Sequence, residues 1–180
     1  MNLPNRLTVL RVCMVPVFVV FMLWNGLGSS AKYVAAVVFI LASMTDWLDG
    51  YLARKNNLVT DFGKFMDPIA DKLLVCSAMI CLVEKGALPA WIVIIIIGRE
   101  FIISGFRLVG VGQGRSLSAA SYWGKFKTVS QMLMVILLIL DLGGVFHTIA
   151  QVLMWIALVL TVVSLVDYMV KNRSVLSGDM

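Results

Sequence analysis

The sequence predicts an all-α fold, a bundle of six transmembrane helices that forms a single domain over residues 1–180. Hydrophobic residues make up 61% of the chain and charged residues only 14%, whereas a soluble domain is about 45 to 50% apolar. A membrane-spanning helix needs roughly 20 mainly apolar residues, and stretches of this length recur along the chain. Lipid-exposed sheet edges leave backbone groups without partners, which favours helices over strands.

Six apolar stretches form the predicted spans, and short polar breaks separate them. The spans cover residues 7–24, 33–52, 65–83, 88–109, 122–140 and 149–170. Turn-forming residues mark the breaks: Asn25 and Gly26 follow the first span, Gly86 and Pro89 lie between the third and fourth, and Gly110 follows the fourth. These breaks are too short to hold a soluble module.

The basic residues predict the orientation of the bundle, because Lys and Arg are concentrated in cytoplasmic loops. With a cytoplasmic amino terminus, only Lys32 and Lys85 fall on the outer side. We therefore expect a multi-pass protein of the cell membrane with both termini in the cytoplasm. The net charge of +5 is then concentrated on the cytoplasmic side, where it attracts anionic lipid head groups or phosphorylated substrates. Without a soluble basic domain, nucleic acid is not an expected partner.

Four aspartates and two glycines follow helical spacing at the end of the second span and the start of the third. Asp46, Asp49 and Gly50 lie at i, i+3 and i+4, and Gly63, Asp67 and Asp71 lie at i, i+4 and i+8. Each set therefore occupies one face of its helix. A charged side chain at membrane depth costs at least ~2.5 kcal/mol, so we expect cations or substrate to neutralise these acids.

Carboxylate oxygens are the ligands that hard divalent cations such as Mg²⁺ and Mn²⁺ prefer. Four acids in a small volume can hold two such ions, and a pair of ions about 4 Å apart stabilises the attacking and leaving oxygens in displacements at phosphorus. Gly50 and Gly63 leave room for a phosphate to approach the backbone. The sequence therefore predicts a site with two divalent metal ions for phosphoryl chemistry.

The spacing of these residues resembles the signature of the CDP-alcohol phosphotransferases, six-helix membrane enzymes that transfer a group from a CDP-linked donor to an alcohol and release CMP. The matching pattern is Asp-x2-Asp-Gly-x2-Ala-Arg-x8-Gly-x3-Asp-x3-Asp over residues 46–71. The resemblance implies that Asp46, Asp49 and Asp67 are the main metal ligands. It implies that Asp71 assists them and is the base that deprotonates the acceptor hydroxyl.

The same resemblance implies a set of residues that bind the CDP group of the donor. These residues are Gly50, Ala53, Arg54 and Gly63. Arg54 suits this role because its permanently charged guanidinium can bind phosphate oxygens in bidentate fashion. The alternative for Arg54 is an interfacial anchor at the end of the second span.

Asn5, Thr8 and Arg11 form a polar stripe on the first span, and we expect this stripe to reach the donor phosphates or ribose. A helix cap at Asn5 and a snorkelling Arg11 are the alternatives.

A second group of charged residues interrupts the fourth span and begins the fifth. Arg99, Arg107, Lys125 and Lys127 are expected to bind the phosphate of an anionic acceptor, because an uncharged acceptor gives no reason for four cations to converge. The alternatives are a self-neutralised pair of Arg99 with Glu100 and a membrane anchor at Lys125. The segments GREFIIS and GKFKT are similar to those of family members that use glycerol 3-phosphate.

We therefore expect an enzyme that transfers a phosphatidyl group from CDP-diacylglycerol to glycerol 3-phosphate at the cytoplasmic side of the bilayer. Inositol phosphate, inositol, serine and phosphatidylglycerol are alternative acceptors. Relatives in the family form homodimers, so a homodimer is expected here.

Two other classes of membrane protein are alternatives to an enzyme. A cation transporter also keeps acids in its spans, but it would distribute them across the membrane depth. A membrane scaffold leaves the acid spacing without an explanation.

Overall fold

The computed structural model describes residues 3–24, 28, 30–55, 61–112 and 122–172, and every regular element among them is an α-helix. Within these helices the side chains of residues 3–7, 46–55, 61–68, 71 and 108–112 lie outside the description. The helices are α1 (Leu3–Leu23), α2 (Ser30–Lys55), α3 (Asp61–Glu84), α4 (Ala90–Gly112), α5 (Tyr122–Leu140) and α6 (Gly144–Lys171).

Each of the six predicted spans coincides with one of these helices, so the predicted all-α fold with six helices is confirmed. Helix α5 has the predicted bounds, and most of the others extend beyond the apolar stretch that predicted them. Hydropathy marks only the apolar part of a helix, whereas residues such as Ala53, Arg54 and Lys55 are good helix formers outside it. Helix α4 instead begins two residues later than predicted, directly after Pro89, whose carbonyl accepts a hydrogen bond from the amide of Ile92 at 3.1 Å.

Two of the helices, α5 and α6, are long and apolar enough to cross a membrane by length and composition. Shorter apolar stretches cover residues Thr8–Leu23 and Ser30–Thr45. Large apolar side chains lie exposed on the outer faces of the helices, including Ile94 at 70% and Phe101 at 67% exposed. An apolar exterior of this kind is typical of a protein in contact with lipid or with a partner.

The chain forms two compact units, the first comprising Met1–Ala87 with Ile136–Asp141 and the second Leu88–Val135 with Leu142–Met180. In the first unit α1 packs against both α2 and α3. Phe18, near the end of α1, contacts Phe39 in the first half of α2 with ring centroids 5.8 Å apart. Because the connection between these two helices is short, this contact makes them antiparallel neighbours.

A cavity of about 500 Å³ in the first unit shows how α1 and α3 are aligned. Its walls come from the last turns of both helices, including Val19 and Leu23 of α1 and Ile80 and Cys81 of α3. Since the carboxyl ends of α1 and α3 lie together, the two helices are parallel. The start of α1, the end of α2 and the start of α3 therefore lie at the same end of this unit, which is where the predicted acid site belongs.

In the second unit α4 and α6 pack side by side. Trp91 near the start of α4 contacts Trp155 of α6 with ring centroids 6.1 Å apart. Further along, Arg99 of α4 contacts Ser164 of α6. Contacts that advance in step along both helices make α4 and α6 parallel, so Arg107 of α4 and Asp167 and Lys171 of α6 lie toward the same end of this unit.

Candidate active site

The acid site predicted from the sequence falls on two helices of the first unit. Asp46 and Asp49 lie in the last turns of α2, and Asp67 and Asp71 lie in the first turns of α3. The backbone is helical at all four positions, so the spacing that defines one acidic face on each helix is retained. The side chains of the four aspartates lie outside the described residues, as do those of Gly50, Ala53, Arg54 and Gly63.

No group of three or more His, Cys, Asp or Glu side chains able to hold a metal occurs among the side chains that the structure describes. The described part of the chain therefore offers no competing metal centre. The donor set of the predicted site fits a hard divalent cation, because carboxylates at this spacing on two neighbouring helices supply the oxygen ligands that such ions prefer.

Two members of the predicted donor-binding stripe, Thr8 and Arg11, lie in the core of the first unit. Thr8 is fully buried and Arg11 is 1% exposed. The side chain of Asn5, one turn earlier on α1, lies outside the described residues. A snorkelling arginine keeps its charged group in water, so the burial of Arg11 contradicts that alternative. Arg11 lies in the half of α1 nearest the predicted acid site. A buried charge is costly unless it is compensated, and the acids of that site carry the opposite charge.

The second unit holds a compact cluster of charged side chains around Glu100. One carboxylate oxygen of Glu100, Oε1, accepts a hydrogen bond from Arg99 Nη1 at 2.6 Å and another from Lys127 Nζ at 2.5 Å. The Lys127 side chain is 4% exposed and that of Arg99 is 12% exposed. The alternative pair of Arg99 with Glu100 is therefore present, and Lys127 joins it as a second largely buried cation on the same carboxylate oxygen.

Helix α6 and the start of α5 hold the Arg99 guanidinium from two other sides. Arg99 Nη2 donates a hydrogen bond to Ser164 Oγ of α6 at 3.0 Å. Gly124 of α5 lies so close that a Cβ at that position would be 3.8 Å from Arg99 Nη2. The guanidinium is thus fixed between three helices of this unit, which suits a group that must be preorganised to bind an anion.

The other two predicted acceptor-binding cations have different surroundings. The guanidinium carbon of Arg107 lies 5.9 Å from the ring centroid of Tyr168, two turns further along α4 than Arg99. Lys125 is exposed, and its ammonium lies over the ring of Tyr122 on its own helix at 5.4 Å. The structure therefore brings Arg99 and Lys127 together at Glu100, places Arg107 against α6, and gives Lys125 a described contact within α5 only.

Sequence reasoning missed the contribution of α6 to this cluster. Ser164 and Tyr168 are buried and face α4, although most of this span is apolar. The available signal was the recurrence of polar residues at positions 161, 164, 168 and 172, which share one face of the helix. Asp167, also on α6, forms an i, i+4 ion pair with Lys171 at 2.8 Å.

Comparison with known proteins places this arrangement in a family. The profile of the CDP-alcohol phosphatidyltransferase family matches residues 1–163. A Bacillus subtilis (strain 168) protein named CDP-diacylglycerol–glycerol-3-phosphate 3-phosphatidyltransferase is 50% identical over 149 residues, which cover 77% of each chain. A Haemophilus influenzae protein of the same name is 40% identical over 93% of this chain and 91% of its own length.

A third relative matches nearly the whole length of this chain. It is a Mycobacterium tuberculosis (strain CDC 1551 / Oshkosh) protein named probable phosphatidylglycerophosphate synthase, 43% identical over 98% of this chain and 84% of its own length. The family match spans α1 to α5 and most of α6, including both the acid site and the charged cluster around Glu100. The resemblance seen in the sequence is therefore confirmed, and the chain belongs to the CDP-alcohol phosphatidyltransferase family.

Proposed function

We propose that this protein transfers a phosphatidyl group from CDP-diacylglycerol to glycerol 3-phosphate, giving phosphatidylglycerophosphate and CMP. Relatives that are 40 to 50% identical carry names that state this reaction. The observation that carries the proposal within the structure is the cationic cluster of Arg99 and Lys127 on Glu100. A neutral acceptor would not require such a cluster, whereas a phosphomonoester carries close to two negative charges near neutral pH.

Asp46, Asp49, Asp67 and Asp71 would hold the metal, which we propose to be two ions of Mg²⁺ or Mn²⁺. The ions supply positive charge that stabilises the attacking and leaving oxygens during displacement at phosphorus. Two features support this assignment: the helical backbone at all four positions and the alignment of α1, α2 and α3, which gathers the ends carrying these residues at one end of the first unit.

The donor would bind at the same end of the first unit. We propose that Gly50, Ala53, Arg54 and Gly63 contact the cytidine and diphosphate, with Asn5, Thr8 and Arg11 approaching from α1. The burial of Thr8 and Arg11 supports this role, because it places both side chains on the inner face of α1 in the core of the first unit. Glycines at positions 50 and 63 leave space for a diphosphate next to the backbone.

The reaction is a direct displacement at the phosphorus that carries the diacylglycerol. Asp71 takes the proton from the attacking hydroxyl of glycerol 3-phosphate, and that oxygen forms a new bond to phosphorus. The bond between this phosphorus and the bridging oxygen of the diphosphate breaks, and CMP leaves with the bridging oxygen and the bonding electron pair. Positioning of the reactants and stabilisation of charge account for most of the rate enhancement in such a reaction.

Arg99, Arg107, Lys125 and Lys127 would bind the acceptor phosphate. Arg99 and Lys127 are the best supported, since both are largely buried and hydrogen-bonded in place. Arg107 lies two turns further along the face of α4 that packs on α6. Lys125 is exposed, and its described contact is with Tyr122 of its own helix. Preorganised cations of this kind bind phosphate more strongly than flexible surface lysines, because less side-chain entropy is lost on binding.

We further propose that all six helices span the cell membrane, that both termini and the active site face the cytoplasm, and that the protein is a homodimer. The exposed apolar side chains of the helices support the spans. The antiparallel arrangement of α1 with α2 and the parallel arrangement of α4 with α6 are those that an alternating path through a bilayer produces. Basic residues at the ends that carry the candidate sites support the cytoplasmic orientation.

Acceptor competition tests the proposed function. Purified protein in detergent micelles with CDP-diacylglycerol and Mg²⁺ is offered glycerol 3-phosphate, inositol phosphate, inositol, serine or phosphatidylglycerol, and the lipid products are separated by mass. We expect phosphatidylglycerophosphate as the main product, formed in equal amount to CMP. A preference for any other acceptor contradicts the assignment of glycerol 3-phosphate, and no CMP release with any acceptor contradicts the transferase activity.

A further inference from the structure

Helix α6 presents a buried polar stripe to the second unit although most of its length is apolar. The stripe consists of Thr161, Ser164, Tyr168 and Asn172, all of which are buried. Thr161 and Ser164 donate hydrogen bonds to carbonyls of their own helix, and the Asn172 side chain donates to the carbonyl of Tyr168. These three side chains therefore donate hydrogen bonds within their own helix. The hydroxyl of Tyr168 does not.

The hydroxyl of Tyr168 is buried without a hydrogen bond to any residue in the described part of the chain. The residue is only 6% exposed, and leaving a buried hydroxyl without a partner is unfavourable. A second donor in the same unit shares this property, since the buried Nε of Arg99 also makes no hydrogen bond with the described residues. Such orphaned donors are unusual in a folded protein and need an explanation.

The contacts of α6 relate these two donors to each other. Arg99 is bonded to Ser164, and Tyr168 follows Ser164 by one helical turn on the same face, at a separation of about 5 to 6 Å between Cβ atoms. The ring of Tyr168 also lies against the Arg107 guanidinium. The Tyr168 side chain thus lies against Arg107 and one helical turn from Ser164, the residue that binds Arg99.

We propose that Tyr168 is a further residue of the acceptor site, and that its hydroxyl donates a hydrogen bond to an oxygen of the phosphomonoester while Arg99 Nε–H donates to another. A phosphate has several acceptor oxygens and no obligatory donor, so it satisfies both orphaned groups at once. Ser164 acts as a positioning residue that orients Arg99. This inference rests on the proposed function, because it takes the acceptor to be a phosphomonoester.

The substitution Tyr168→Phe tests the proposal, because it removes the hydroxyl and keeps the ring that packs against Arg107. The matched control is Tyr33→Phe, since Tyr33 is an exposed tyrosine with Lys32 over its ring. Binding of glycerol 3-phosphate to the full chain is measured by calorimetry without donor, and the KM values of both substrates are measured by CMP release. A hydrogen bond from a neutral group to a charged one is worth about tenfold or more in binding.

We expect Tyr168→Phe to weaken glycerol 3-phosphate binding and to raise its KM by about tenfold, with the KM for CDP-diacylglycerol and the thermal midpoint close to the parent values. Tyr33→Phe should change none of these quantities. The role of Tyr168 is overturned if Tyr168→Phe binds glycerol 3-phosphate as the parent does while Lys127→Ala binds it more weakly. That result leaves the proposed function intact. If the parent protein prefers an acceptor without a phosphate, the proposed function itself fails.

Discussion

Lys127 of α5 donates a hydrogen bond to Glu100 of α4 at 2.5 Å, through the same carboxylate oxygen that binds Arg99. This relationship joins the fourth and fifth helices through charged side chains that are largely buried. It also fixes two cations within one hydrogen-bonded group. Glu100 is therefore the residue that positions the charges of the candidate acceptor site, although it would itself repel a phosphate.

Substitution of Glu100 by Gln should destabilise the protein and weaken acceptor binding together. Removing one partner of a buried ion pair costs roughly 3 to 5 kcal/mol, and here Arg99 and Lys127 would both lose the carboxylate that they share. We expect a lower thermal midpoint in detergent and a higher KM for glycerol 3-phosphate. Glu84→Gln, at an exposed position at the end of α3, is the control. Equal midpoints for the two variants would contradict the role given to Glu100.

The substitution Ser164→Ala should weaken the binding of glycerol 3-phosphate without weakening the binding of CDP-diacylglycerol. It removes the oxygen that accepts a hydrogen bond from Arg99, and a hydrogen bond involving a charged group is worth about 1.5 to 3 kcal/mol. We expect a several-fold rise in the KM for glycerol 3-phosphate and an unchanged KM for CDP-diacylglycerol. Ser43→Ala is a suitable control, because Ser43 also donates to a carbonyl of its own helix, that of Phe39. Loss of both substrate affinities would instead indicate a general structural role for Ser164.

The contrast between α5 and α6 shows what the sequence can predict. The bounds of α5 follow from hydropathy alone, and the acid spacing over residues 46–71 identifies the family, because both signals are local in sequence. The bond between Glu100 and Lys127 is not local, since these residues are 27 positions apart. Tyr168 was not predicted, because the polar residues that share its face of α6 gain their meaning only from their contacts with α4.

Substitutions of increasing size at Gly124 test how closely the Arg99 guanidinium is confined. A Cβ there would lie 3.8 Å from Arg99 Nη2, which is an ordinary contact, so Gly124→Ala should retain activity. The alanine can also stabilise α5 by up to about 1 kcal/mol. Gly124→Leu adds bulk against the guanidinium, and we expect it to raise the KM for glycerol 3-phosphate by tenfold or more. Comparable kinetics of the two variants would show that Arg99 is not confined at this point.

Cysteine labelling tests the proposed path through the membrane. In a background with Cys13, Cys76 and Cys81 replaced by Ala, Lys85→Cys and Lys171→Cys introduce exposed thiols at the ends of α3 and α6. A membrane-impermeant maleimide added to intact cells should label position 85 and not position 171, which should react only after permeabilisation. Labelling of both positions, or of position 171 alone, in intact cells would contradict cytoplasmic termini.

The dependence of CMP release on Asp67 and on divalent metal tests the central claim most directly. Purified parent protein, Asp67→Asn and the control Asp167→Asn are assayed with CDP-diacylglycerol and glycerol 3-phosphate over a range of Mg²⁺ or Mn²⁺ concentrations. We expect chelation to abolish CMP release by the parent, Asp67→Asn to be inactive at every metal concentration, and Asp167→Asn to keep near-parent activity. Acceptor-dependent CMP release by Asp67→Asn, or release by the parent without metal, would contradict catalysis at a metal site built from these aspartates.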